Sequence, residues 1–97
     1  MKYLFKGMVE KERLELLISL TNIKSESMIN ALHAHFVDGI PTVRAAARFD
    51  VPLQNLHRAM ARLNEVAQTV EKIKEINFKY HQLSDDKKGL ENGTKII

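Results

Sequence analysis

Between Leu53 and Gly89 the chain contains neither glycine nor proline, and its apolar residues recur as Leu56, Ala59, Met60, Leu63, Val66, Ala67, Val70, Ile73 and Tyr80. Such spacing over many turns is that of an amphipathic helix. A helix this long constrains the fold, because its apolar side must be covered by other helices or by a second chain. One unbroken helix and two helices parted near Asn64 both satisfy the pattern. The rest of the chain keeps the same period. From Val9 to about Leu20, Leu14, Leu17, Ile18 and Thr21 share a side, Glu10, Glu12, Arg13 and Glu15 fall mostly elsewhere, and Leu16 and Leu20 widen the apolar face. After a break at Asn22 to Ser25, Ser25 or Ser27 can cap a second helix with the stripe Met28, Ile29, Leu32, Phe36 and Val37. Asp38 and Gly39 end it, and Pro41 and Thr42 open a short helix from Val43 to Phe49, with Thr42 as its cap. The expectation is an all-α protein: a compact helical domain of four to five helices over residues 1–83, then a flexible tail over 84–97 that is rich in Asp, Lys, Gly and Asn.

Composition narrows the function classes. The 97 residues include no cysteine, which excludes disulfides and thiolate metal sites. The apolar runs, such as Leu16 to Ile18, are too short to cross a bilayer or to form a signal peptide, so a cytoplasmic protein with no membrane partner is expected. A net charge of +3 says little by itself, but its placement does. Arg44, Arg48, Arg58 and Arg62 stand against the single acid Asp50 between Pro41 and Leu63, while Glu10, Glu12 and Glu15 cluster near the start. A locally basic segment in a mixed chain is what a phosphate backbone attracts.

That basic segment, Thr42 to Leu63, also has the spacing of a helix-turn-helix. Ala46 is the small residue where two helices cross, and Phe49 closes the first helix. Asp50 occupies the turn position where glycine is commonest, Val51 points inward after it, and Leu56 and Ala59 complete the buried face of the second helix. Pro52 suits the start of that second helix, the recognition helix, where a missing amide hydrogen costs little. Gln54, Asn55, His57 and Arg58 are left facing outward as candidates to read base edges in the major groove: the two amides match adenine and the guanidinium matches guanine. Thr42, Arg44, Arg48 and Arg62 flank them and suit phosphates. Double-stranded DNA is the partner implied, bound by a symmetric dimer with two recognition helices ~34 Å apart. A protein-interaction module with a solvated basic surface, and a plasmid-maintenance repressor with the same motif, are the alternatives.

The stretch SMINALHAHFVDGIPTVRAAARFDVPLQNLHRAMARLNEVAQTVEKI, from Ser27 to Ile73, resembles the PapB-type regulators of bacterial adhesin (fimbrial) operons. These share an apolar helix, a Gly-containing break, a short Ala- and Arg/Lys-bearing helix ending in an aromatic, and a long recognition helix. The resemblance implies transcriptional control of an adhesin operon on the nucleoid, through homodimers or larger oligomers on AT-rich DNA. It also implies DNA contact through Arg44, Arg48, Gln54, Asn55, His57, Arg58 and Arg62.

Other constellations carry less. His33 and His35 are two positions apart and diverge on a helix, whereas helical ligand pairs are separated by three or four, so no metal site is expected. No nucleophile with a matched base, glycine-rich phosphate loop or paired carboxylates in an apolar setting occurs, and neither catalysis, a cofactor nor a small-molecule ligand is expected. Leu63, Val66, Val70, Ile73, Asn77 and Tyr80 follow coiled-coil spacing, with Asn77 placed to set register. They form either a dimer seam or the cover of the domain's own core.

Overall fold

The computed structural model describes residues 3–91, with side-chain surroundings for 3–80. Its four helices are α1 (Lys11–Ser19), α2 (Glu26–Phe36), α3 (Thr42–Arg48) and α4 (Leu53–Glu91). α4 is a single helix of 39 residues, with no interruption at Asn64. Its helical backbone reaches into the segment expected to be a tail; residues 92–97 of that segment lie outside the described residues.

α4 is the spine. Leu56, Leu63 and Ala67 on its inner side are fully buried, and α1, α2 and α3 all pack against it. Those three helices have 9, 11 and 7 residues, lengths that are marginal alone in water, so packing supplies their stability. The core joins Leu14, Leu17 and Ile18 of α1, Ala31, Leu32 and Phe36 of α2, and Ala45 and Ala46 of α3. Alanines at these crossings let the backbones approach closely. Leu16 and Leu20, which widen the apolar face of α1 in sequence, stay exposed because Leu14, Leu17 and Ile18 fix its phase.

The ends of the helices follow local chemistry. The Ser25 hydroxyl accepts from the Met28 amide at 3.3 Å, so Ser25 is the cap of α2. Thr42 does not cap α3. Pro41 is the flanking residue, its carbonyl accepts from Ala45 N at 2.9 Å, and Thr42 is already helical. Proline has no amide hydrogen of its own to satisfy there, which lets the chain turn directly into the helix.

An N-terminal strap, residues 3–10, binds the helices together. The amides of Tyr3 and Leu4 both donate to Asn64 Oδ1, at 2.6 and 3.2 Å, and Leu4 is buried. Further along, Gly7 N donates to His35 O and Val9 N to Phe36 O, each at 3.0 Å. His35 is buried, and its Nδ1 lies 2.8 Å from Ile40 O, so it closes the α2–α3 loop from within. Arg13 on α1 reaches Glu71 on α4 at 3.3 Å, and Lys74 meets the same carboxylate at 3.4 Å.

Gly7 and Gly39 meet where the strap crosses that loop, with φ of +69° and +78°. A Cβ on Gly7 would lie 3.1 Å from Gly39 Cα. Gly7→Ala should therefore destabilise the domain by about 1–3 kcal/mol, since it combines a left-handed φ with a backbone collision. Urea unfolding would measure this, and an unchanged midpoint would show that the strap does not contribute to the folded core.

Candidate nucleic-acid interface

The connection between α3 and α4 is built on one residue. Asp50 has φ +55°, and it is the sole non-glycine with positive φ among the described residues. Aspartate enters this left-handed region at tolerable cost, which is how the turn forms without the usual glycine. The turn is closed by Val51 N donating to Ala46 O at 2.9 Å and by Asp50 N donating to Ala47 O at 3.3 Å. Val51 is then buried, and Leu56 N donates to Pro52 O at 3.0 Å as α4 begins. Phe49, the residue that closes α3, is partly buried and packs against the core.

Burial of Ala45 and Ala46 turns Val43, Arg44, Ala47 and Arg48 outward on α3. Burial of Leu56, Ala59 and Leu63 turns Gln54, Asn55, His57, Arg58 and Arg62 outward on α4. All four base-reading candidates are thus exposed, as are Arg44, Arg48 and Arg62, whereas Thr42 is half-buried. No acidic side chain among the described residues pairs with Arg44, Arg48 or Arg58. Arg62 meets Glu65 at 3.3 Å, but both are exposed, and such pairs are worth little against solvent. The result is a surface of backbone-anchored cations with amide and imidazole groups between them, suited to hydrogen-bonding a polyanion.

Two features were not singled out in the sequence. Val43 is 65% exposed on α3 beside Arg44, so the outward face of that helix is partly apolar. The signal was the adjacent pair Ala45–Ala46, which sets the phase. The structural role of His35, weighed in the sequence only as a metal ligand, is the second: its ring is buried and lies against Ile40 O, and among the described residues no three potential ligands gather around a metal position.

The expected series Leu63, Val66, Val70, Ile73, Asn77 and Tyr80 divides in the structure. Leu63 is buried, and Val66 and Val70 pack against the core, whereas Ile73 and Tyr80 are exposed. Asn77 is exposed too.

Comparison with known proteins places this architecture. The family described as adhesin biosynthesis transcription regulatory protein, PapB, matches residues 1–77. In three dimensions the chain is similar to FocB of E. coli, known from a crystal structure, with a TM-score of 0.72 and 20% sequence identity over 77% of this chain and 85% of that one. At that identity the likeness shows the fold. No curated protein sequence matches the chain.

The turn gives a direct test. Asp50→Gly should raise stability by up to ~1 kcal/mol because glycine takes a positive φ without cost. Asp50→Val should lower it by about 1–2 kcal/mol. If both variants unfolded at the urea concentration of the parent, the left-handed turn would not be the element joining the two helices.

Proposed function

Because the chain belongs to the PapB family of adhesin biosynthesis transcription regulatory proteins, we propose that it binds operator DNA of an adhesin gene cluster as a homodimer, with α3 and α4 as its helix-turn-helix. The observation that carries this reading is the exposed set Arg44, Arg48, Arg58 and Arg62, held on two short-linked helix faces with Glu65 as the one acidic partner among the described residues. A solvated basic surface could be as charged. It would not need amide side chains aligned with the arginines on the first turns of α4.

Each group has a defined role. Gln54 and Asn55 offer the donor and acceptor pair that adenine presents at N6 and N7, and Arg58 offers the fork for guanine O6 and N7. His57 hydrogen-bonds a base edge or a phosphate. Thr42, Arg44 and Arg48 at α3, and Arg62 further along α4, bind phosphates and fix the register of the protein on the duplex. Arg62 exchanges its weak pairing with Glu65 for a phosphate. The operator is AT-rich, and the protein acts on the nucleoid, in the cytoplasm; among the described residues no helix is long and apolar enough to cross a membrane.

Binding to an operator fragment at graded salt tests the assignment of faces. Arg44→Ala should weaken binding to all sequences alike and reduce the salt slope by about one phosphate contact. Arg58→Ala should relax the preference at one base pair, at a cost of ~1–3 kcal/mol for the preferred base. Groove-selective competitors test which groove is occupied. Methyl green should displace the protein and netropsin should not. The reverse result would overturn the assignment of α4 to the major groove. Salt-insensitive or absent binding to any duplex would remove DNA as the partner.

A further inference from the structure

Among the described residues His35 is the sole buried polar side chain, and it takes no part in the proposed contacts with DNA. It stands at a junction near the end of α2. Its carbonyl accepts from Gly7 N of the strap at 3.0 Å, and its Nδ1 lies 2.8 Å from Ile40 O. A carbonyl oxygen can only accept, so the imidazole carries a hydrogen on Nδ1 and donates it. The ring is packed edge-on to Phe36, with the two centroids 4.9 Å apart.

That hydrogen bond governs the direction in which the chain enters α3. Ile40 is tied at both of its peptide groups: its N–H donates to Ala34 O at 2.9 Å, and its carbonyl receives the imidazole. The Ile40 carbonyl and Pro41 N share one peptide plane, so fixing the oxygen fixes the direction in which Pro41 leaves. The pyrrolidine ring then holds φ of Pro41 at −57°. Between the imidazole and Thr42, the first residue of α3, a single soft torsion remains, ψ of Pro41.

The two ends of α3 are held by different means. No side chain caps its first turn. Its far end is fastened to the turn before α4, where Val51 N donates to Ala46 O and Asp50 N to Ala47 O, and this fixes the end that carries Arg48. Burial of Ala45 and Ala46 keeps the helix against the core, but two methyl groups make a smooth contact about which it can tilt. Arg44, in the first turn, therefore takes its direction from Ile40 and Pro41.

We propose that His35 is a positioning residue for operator binding: its hydrogen bond to the Ile40 carbonyl aims the first turn of α3 and so sets where Arg44 meets a phosphate. This rests on the DNA-binding reading above for the phosphate, but not for the aim of the helix. His35 is buried and acts only through Ile40. A residue that merely stabilised the domain would lower the affinity of every variant alike. One that aims α3 acts through Arg44 and leaves the contribution of Arg58 on α4 unchanged.

Double-mutant cycles on an operator fragment separate the two roles. In the parent chain Arg44→Ala should weaken binding about tenfold, the scale of one lost hydrogen bond to a charged group. His35→Phe keeps a ring but has no donor, and should cost about as much by itself; in that background Arg44→Ala should cost less than about twofold, while Arg58→Ala costs what it does in the parent. His35→Asn, whose Nδ2 takes the place of Nδ1, should restore the effect of Arg44→Ala. Pro41→Ala, at an exposed position, frees φ without disturbing the core and should reduce the Arg44 effect in the same direction. Amide exchange gives a reading without DNA. His35→Phe should speed exchange of Ala45 N–H, which donates to Pro41 O, about tenfold, and leave Leu56 N–H, which donates to Pro52 O, unchanged. An undiminished Arg44 effect in His35→Phe, or in Pro41→Ala should His35→Phe not fold, overturns the proposal, as does equal acceleration at Ala45 and Leu56. Selective exchange at Ala45 in a chain that binds no duplex would leave the aim of α3 standing and remove the regulator reading instead.

Discussion

Burial along the inner side of α4 is the constraint on which the other features rest. Leu56, Ala59, Leu63 and Ala67 occupy one line of that helix and receive three helices that are too short to persist alone. Once this line is turned inward, helix geometry leaves no freedom for the rest. Residues about half a turn away must face solvent, and these are the arginines and amides near the start of α4 and the isoleucines further along. The exposed basic face and the exposed isoleucines are thus consequences of the same packing.

The position of α3 against that spine depends on the burial of Ala45 and Ala46 and on a chain of hydrogen bonds that leads to its start. The strap of residues 3–10 is fastened to α4 by Asn64 and to the end of α2 by the carbonyls of His35 and Phe36. The imidazole of His35 then holds Ile40, one residue before Pro41 and the start of α3. Arg44 and Arg48 are carried on a helix of seven residues, and their placement is inherited from this chain of contacts. Exposed side chains on so short a helix keep a fixed placement only through such bracing, because the helix is too short to hold its own register.

Much of this was legible in the chain, and the reasons differ from one element to the next. Four helical segments follow from period alone, since a run such as Leu56 to Val70 has no other way to gather its apolar residues. The turn at Asp50 follows from chemistry, because aspartate between Phe49 and Val51 is one of few residues that accept a left-handed backbone. Outward placement of Gln54, Asn55, His57 and Arg58 follows from the buried positions between them. The cap of α3 was misread, since Thr42 is a good capping type but Pro41 already holds that place. The role of Asn64 was invisible: its acceptor serves amides some sixty positions away in sequence, and no local pattern announces such a contact.

The sequence by itself determined the helical class, the left-handed turn and the outward basic face, because each depends on residues within a turn or two of one another. Tertiary structure decided which apolar residues of α4 belong to the core of the domain and which stay exposed. Spacing in steps of three and four is shared by a core stripe and a dimer seam, so Leu63, Val70, Ile73 and Ile76 look alike in one dimension. They separate only when α1, α2 and α3 take up their positions, cover Leu63 and Val70, and leave Ile73 and Ile76 facing out.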